Sequence, residues 1–301
     1  MIVGDQRRDA LRRAADRIGR HRPQPTAPDG TRPLWDAAFF GLDRVARFRD
    51  ADTETRQSVL ADCTAGMLAE SWRIECCGID YCARMALTAE DDDERRLFGL
   101  VGADEARHAG WLAPWLAPWL AAGEQEPDPF NRFIAGLAET GTPQALAFLL
   151  QVVLEGFGIT HYSALAAHCR DAGMADILQR LSQDEARHHA AGLAVFRPDR
   201  LTRGDRRFLA DATQVFLEMI RCGPQAVVAA LDKGIGLGDQ SDVAATFSAV
   251  DAEGAGAVKL ARLRRLMAQP GMAWLVDTLA AGGLFTPCPA PDCARIYTAS
   301  R

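Results

Sequence analysis

Asp104-Glu105-Ala106-Arg107-His108 and Asp184-Glu185-Ala186-Arg187-His188 are one pentapeptide written twice in a chain of 301 residues. A glutamate stands thirty residues before the glutamate of each copy, Glu75 before Glu105 and Glu155 before Glu185. The two halves superpose at an offset of eighty residues without a gap. The register holds beyond these positions: Gly78 and Ile79 fall on Gly158 and Ile159, and Ala86 on Ala166.

On a helix, Glu-x-x-His sets a carboxylate and an imidazole about one turn apart on one face, where both reach a common point. A single such pair is ordinary surface sequence. Two pairs, each with its partner glutamate, direct four carboxylates and two imidazoles at one centre, so Glu75, Glu105, His108, Glu155, Glu185 and His188 are the candidate metal ligands. These donors suit iron or manganese better than copper or structural zinc, and carboxylates can span two such ions. The alternative is a repeated helical hairpin that kept its charged faces and lost its metal.

The doubled pattern resembles that of the ferritin-like di-iron and di-manganese proteins. Within that superfamily it is similar to the bacterial di-iron oxygenases and oxidases, whose motif is Glu, about thirty residues, then Asp-Glu-x-Arg-His; the resemblance covers about residues 55 to 195. It implies an all-α chain: a ferritin-like four-helix bundle with additional N- and C-terminal helices. It further implies two iron ions, Fe/Fe with Mn/Fe as the alternative. Glu105 and Glu185 would bridge or span them, His108 and His188 would bind one ion each, and Glu75 and Glu155 would be terminal ligands. The implied activity is that of a non-haem di-iron oxygenase or oxidase, with these six residues catalytic, dioxygen as co-substrate and a small organic substrate. A separate reductase or ferredoxin would supply electrons, and a homodimer is the family expectation.

The chain departs from several branches of that superfamily. Bacterioferritins are little more than the bundle, whereas this chain adds an N-terminal arm and roughly one hundred residues after it. Rubrerythrin-type peroxidases add two Cys-x-x-Cys pairs, and none is present. The arylamine N-oxygenase branch carries an extra His one turn before the last bridging glutamate, where this chain has Leu181. A ferroxidase or peroxide-detoxifying protein, and a scaffold without metal, remain the other classes.

Around the ligands, Asp104 and Asp184 are turned about 100° from the metal face by one residue of helix. They are poor ligands but are placed to accept a hydrogen bond from the outer nitrogen of a ligating His. Arg107 and Arg187 are placed to pair with them; plain surface ion pairs are the other reading. Tyr162 and Cys82 follow Glu155 and Glu75 by seven residues, two turns along the same face, and are expected to line the cavity. Tyr162 either relays electrons or protons or is a core tyrosine with a bonded hydroxyl. Gly78 and Gly158 leave space on that face, for entry of substrate or dioxygen or for close helix packing. His161, His168 and His189 miss the metal face.

Ala and Leu dominate, and the Val-Ile-Thr alternation that strands need is hard to find, so the fold reads as all-α. The net charge of −6 argues against general nucleic-acid binding and against a tRNA-modifying member of the superfamily. With no run of about twenty uninterrupted apolar residues and no apolar signal core, a cytoplasmic protein without a membrane span is expected. Its eight cysteines are then reduced thiols. Cys288 and Cys293, spaced Cys-x4-Cys, lack the second pair that a zinc site needs.

Three parts are expected: an Arg-rich helical arm and linker at 1–33, the bundle at 34–202 and a helical extension at 203–301. The repeat Trp111-Leu-Ala-Pro-Trp115-Leu-Ala-Pro-Trp119 reads as an aromatic plug, an oligomer contact or a lid, its prolines ending the helix near Ala113. Residues 247–258 have the outline of an EF-hand loop, but Ala255 and Arg262 replace two ligands, so a Gly turn between helices fits better than calcium.

Overall fold

Leucine and alanine carry the chain into helices, and among the described residues no strand forms. The computed structural model describes residues 32–120 and 129–299, and the expected N-terminal helix lies outside them. In order, the helices are α1 (Ala37–Phe40), α2 (Ala46–Asp50), α3 (Thr53–Thr88), α4 (Asp92–Leu120), α5 (Pro129–Thr140) and α6 (Pro143–His168). There follow α7 (Ala172–Val195), α8 (Arg203–Arg221), α9 (Gln225–Ile235), α10 (Gln240–Ala249), α11 (Ala252–Met267), α12 (Ala273–Ala281) and α13 (Ala290–Ala299).

Several helix starts are marked by short polar caps. Asp52 accepts from the Thr55 N–H at 2.7 Å to open α3, Asp171 accepts from Gly173 and Met174 to open α7, and Thr202 with Asp205 forms a capping box on α8. Asp92, Asp93 and Glu94 place negative charge in the first turn of α4, where the helix dipole favours it.

Helices α3 and α4 form one hairpin, α6 and α7 the other. Tyr81 bonds Gln151 while Tyr162 bonds Glu75, so a step down α3 is a step up α6 and these two helices run antiparallel. Each of the four crosses two apolar cores. One core takes Val59 to Ala69, Trp111 to Leu116, Tyr162 with Leu165, and Met174 to Leu181. The other takes Tyr81 to Met85, Phe98 with Val101, Ala145 to Val153, and Val195. The candidate ligands lie between these sets on every helix, as a polar layer between two apolar ones. The C-terminal helices belong to the same cores: α9, α10 and α13 enter the first, and α8, α11 and α12 the second.

Two local features differ from the sequence expectation. Helix α4 does not end near Ala113 but runs through Pro114 and Pro118 to Leu120. Proline removes one helical hydrogen bond and crowds the carbonyl four residues back; here those carbonyls belong to Gly110 and Pro114, both on the exposed side. The opposite face buries Trp111, Leu112, Trp115 and Leu116 in the first core, which holds the helix in place. In α6, Ala147–Leu154 is π-helical, with the Glu155 N–H bonding the Leu150 carbonyl five residues back. Such widened turns recur at functional sites, and this one delivers Glu155.

Helix α6 is apolar and long enough to cross a membrane by composition alone, yet most of its apolar stretch is buried inside the protein. At residues 247–258 no twelve-residue loop forms. Asp251, with a left-handed φ of 57°, caps α11 directly by accepting from the Gly254 N–H.

Candidate metal centre

The four central helices bring all six sequence-predicted ligands into the polar layer. Glu75 and His108 are fully buried, and Glu105, Glu185 and His188 are nearly so. They sort into two groups that could each hold a metal ion: Glu75, His108 and Glu185, and Glu105, Glu155 and His188. Within each group the donor atoms lie within 4.8 Å of one another. The grouping is crosswise, since each pentapeptide lends its glutamate to the other repeat's Glu and His.

Both imidazoles are oriented the same way. His108 Nε2 lies 3.0 Å from Asp184 Oδ2, and His188 Nε2 lies 3.4 Å from Asp104 Oδ2. With Nε2–H committed to an aspartate, Nδ1 is the nitrogen that faces the glutamates. His108 Nδ1 is 3.0 Å from Glu75 Oε2, and His188 Nδ1 is 3.0 Å from Glu105 Oε1. Each aspartate is in turn held by the arginine of its own pentapeptide, Arg107 on Asp104 and Arg187 on Asp184. The aspartates thus contact the imidazole of the opposite repeat, a pairing that sequence spacing does not reveal.

Burial and charge set the proton inventory. Burial pushes the Glu105 carboxyl up, to about 8, and the neighbouring Glu155 adds to the effect. Burial opposes a charge on His188, but the surrounding Asp104, Glu105 and Glu155 outweigh it and raise its pKa to about 12. Glu75 goes the other way: against its burial, His108 and the bonded groups hold it below the usual carboxylate range.

The residues fit two divalent cations. Although 3.0 Å apart, Glu105 Oε1 and His188 Nδ1 are not aligned as a hydrogen bond, and both are buried without another partner. Buried polar atoms are rarely left so, because the cost is substantial. Each group also carries two carboxylates, so one dication per group would balance it, while the Asp–Arg pairs balance themselves.

A cavity of about 100 Å³ opens on this layer. Glu75, Glu105, Glu155 and Glu185 all reach it, and Gly78, Gly158 and Tyr162 line it as the sequence reading expected. Gly78 leaves room for the Glu105 side chain, since a Cβ there would come within 2.8 Å of Glu105 Oε2 and 3.0 Å of its Cγ and Cδ. The Tyr162 hydroxyl, fully buried, donates to Glu75 Oε1, and burial with the nearby glutamates keeps its pKa well above the ordinary value. Cys82 is not in the lining. It is buried in the second core, close against Gly102 of α4. His189 is turned away, with Nδ1 2.9 Å from the Val152 carbonyl oxygen.

Sequence reasoning missed the remaining wall: Glu70, Ile74, Cys77 and Tyr81 from α3, Phe130 and Ile134 from α5, and Leu150, Leu154, Phe157 and His161 from α6. The signal was available, because on α3 and α6 these residues recur with the same spacing and at the same offset of eighty as the ligands. Searches among known protein families, curated proteins and solved structures found no match to this chain.

Proposed function

We propose that this chain is a dioxygen-activating non-haem di-iron oxidoreductase with a ferritin-like four-helix bundle, acting on a small organic substrate. The observation that carries this reading is the crosswise pair of Glu-Glu-His groups opening on a largely apolar cavity. Glu75, His108 and Glu185 would hold one iron, and Glu105, Glu155 and His188 the other. When bound, a reduced iron pair supplies electrons and open positions for dioxygen. The chain's own groups do the rest. Asp104 and Asp184 orient the imidazoles, Arg107 and Arg187 neutralise the aspartates, and Tyr162 fixes Glu75 through its hydroxyl proton. The apolar walls exclude water around the substrate, so electrostatic interactions inside are strengthened.

A ferroxidase or peroxide-detoxifying protein would use the same ligands, but it has no need of a wall built from Phe130, Ile134, Leu150, Leu154 and Phe157. Electrons for repeated turnover would come from an external reductase or ferredoxin, and we place the protein in the cytoplasm.

The test is iron content after anaerobic Fe(II) loading and desalting, comparing the wild type with Glu155→Ala and His188→Ala, followed by dioxygen uptake. The expected result is about two irons per chain, reduced in both variants with helical content retained, and dioxygen consumption that organic molecules stimulate. Absence of iron binding, or repeated Fe(II) oxidation indifferent to any organic molecule, would defeat the proposal.

A further inference from the structure

The repeat makes the cavity nearly two-fold symmetric, and the exceptions define its ends. On α3 the lining is Glu70, Ile74, Cys77, Gly78 and Tyr81; on α6 the equivalent residues are Leu150, Leu154, Phe157, Gly158 and His161. Because α3 and α6 are antiparallel, Glu70 shares an end with His161, and Leu150 shares the opposite end with Tyr81. The charge of Lys259, on α11, reaches both Glu70 and His161, as residues at one end require. At the other end the Tyr81 hydroxyl is already used, donating to Gln151 Oε1 at 2.9 Å, so what faces the cavity there is hydrocarbon.

Among the described lining residues outside the ligand set, His161 Nε2 is the polar atom left buried without a partner. We propose that the cavity selects a compact molecule with an apolar body and one uncharged hydrogen-bonding group, the body lying towards Leu150 and Ile134 and the polar group meeting His161 Nε2. This rests on reading the cavity as the substrate pocket of the metal centre, and it makes His161 a specificity-determining residue. Burial, with Lys259 nearby, pushes the imidazole pKa down to about 4, so it meets the ligand as a neutral group that can donate or accept. A hydroxyl or carbonyl suits such a partner, and an anion would find no imidazolium there. The size follows from the volume: about 100 Å³ is of the order of an engineered cavity of about 150 Å³ that binds benzene, which limits the enclosed body to about one small ring. Helix α11, from the C-terminal part of the chain, packs beside α6, with Arg262 donating to the Gly156 carbonyl at 2.8 Å.

The experiment is calorimetric titration of the metal-free full chain with toluene and with benzyl alcohol, which share a body and differ by one hydroxyl. Both probes should bind the wild type. His161→Phe should weaken benzyl alcohol by about tenfold while leaving toluene unchanged or tighter, because the hydroxyl is then buried unpaired. His161→Gln keeps a donor and an acceptor and should hold the ratio of the two affinities within about threefold of wild type. Leu150→Trp, at the far end, should weaken both probes together. Failure of either probe to bind the wild type, or parallel effects of His161→Phe on both, would overturn the inference. Iron uptake by the same preparations separates the two readings. Iron bound without discrimination between the probes defeats this inference alone, whereas a wild type that takes up no iron defeats the metal centre.

Discussion

Gly78 and Gly158 occupy equivalent places one turn beyond Glu75 and Glu155, yet their surroundings differ. A methyl group at Gly78 would meet Glu105 Oε2 at 2.8 Å, whereas at Gly158 the nearest atom would be Glu185 Cγ at 3.7 Å. Gly78→Ala must therefore push Glu105 out of place, and iron affinity should fall by about tenfold or more. Gly158→Ala should leave iron content unchanged; equal effects of the two substitutions on a competitive chelator titration would contradict this account. At the residue scale the convergence of the six candidate ligands into one buried cluster was legible, because a gapless repeat of paired Glu and His leaves little freedom. The partners of Asp104, Asp184 and Tyr162 were not, since each reaches across to a different helix and spacing along one helix carries no such information. The sequence turns His161 off the metal face, but its place in the cavity wall depends on where α3, α5 and α6 meet.

Helix α4 shows how packing overrides local propensity. Its two prolines each cost a backbone hydrogen bond, and together with the Leu-Ala-Pro-Trp repeat they read as a stop. The helix continues because Trp111 and Trp115 are buried on one face and the disrupted carbonyls lie on the other. Replacing Pro114 by Ala should restore the bond to Gly110 and stabilise the protein by about 1–3 kcal/mol in urea denaturation, with iron content unchanged. A destabilised Pro114→Ala would mean that the ring itself packs against something essential. The boundaries of α3 and α7 were close to readable from their caps and periodicity. The π-helical stretch before Glu155 was not, because an apolar run such as Ala147–Leu154 has the same composition in either kind of helix.

Across the whole molecule, the polar layer between two apolar cores makes folding and proton binding interdependent. In the metal-free state Glu105 carries a penalty that sets in above 4.5, its ordinary value, and grows until about 8. His188 contributes a stabilisation present in full below 6.5 and lost as pH rises towards about 12. In both cases the folded chain holds protons that the unfolded chain has released, whereas His161, pushed down to about 4 by burial, opposes this between about 4 and 6.5, so metal-free stability should fall as pH rises from about 6.5 to about 9. Metal binding should release protons into a weakly buffered solution and flatten that dependence; a denaturation midpoint indifferent to pH in the metal-free protein would contradict it. The all-α class was legible at this scale from composition, but the sharing of both cores by α8 to α13 was not, because amphipathic faces do not name their partners.

The crosswise grouping also bears on descent. Glu75 and His108 take their third donor from the second repeat, and Glu155 and His188 take theirs from the first. A forebear consisting of one hairpin would have carried every residue type of the site and still lacked a complete ion-binding group. It could have bound metal only by pairing with a copy of itself, so the association of two chains would have come before their fusion into one gene.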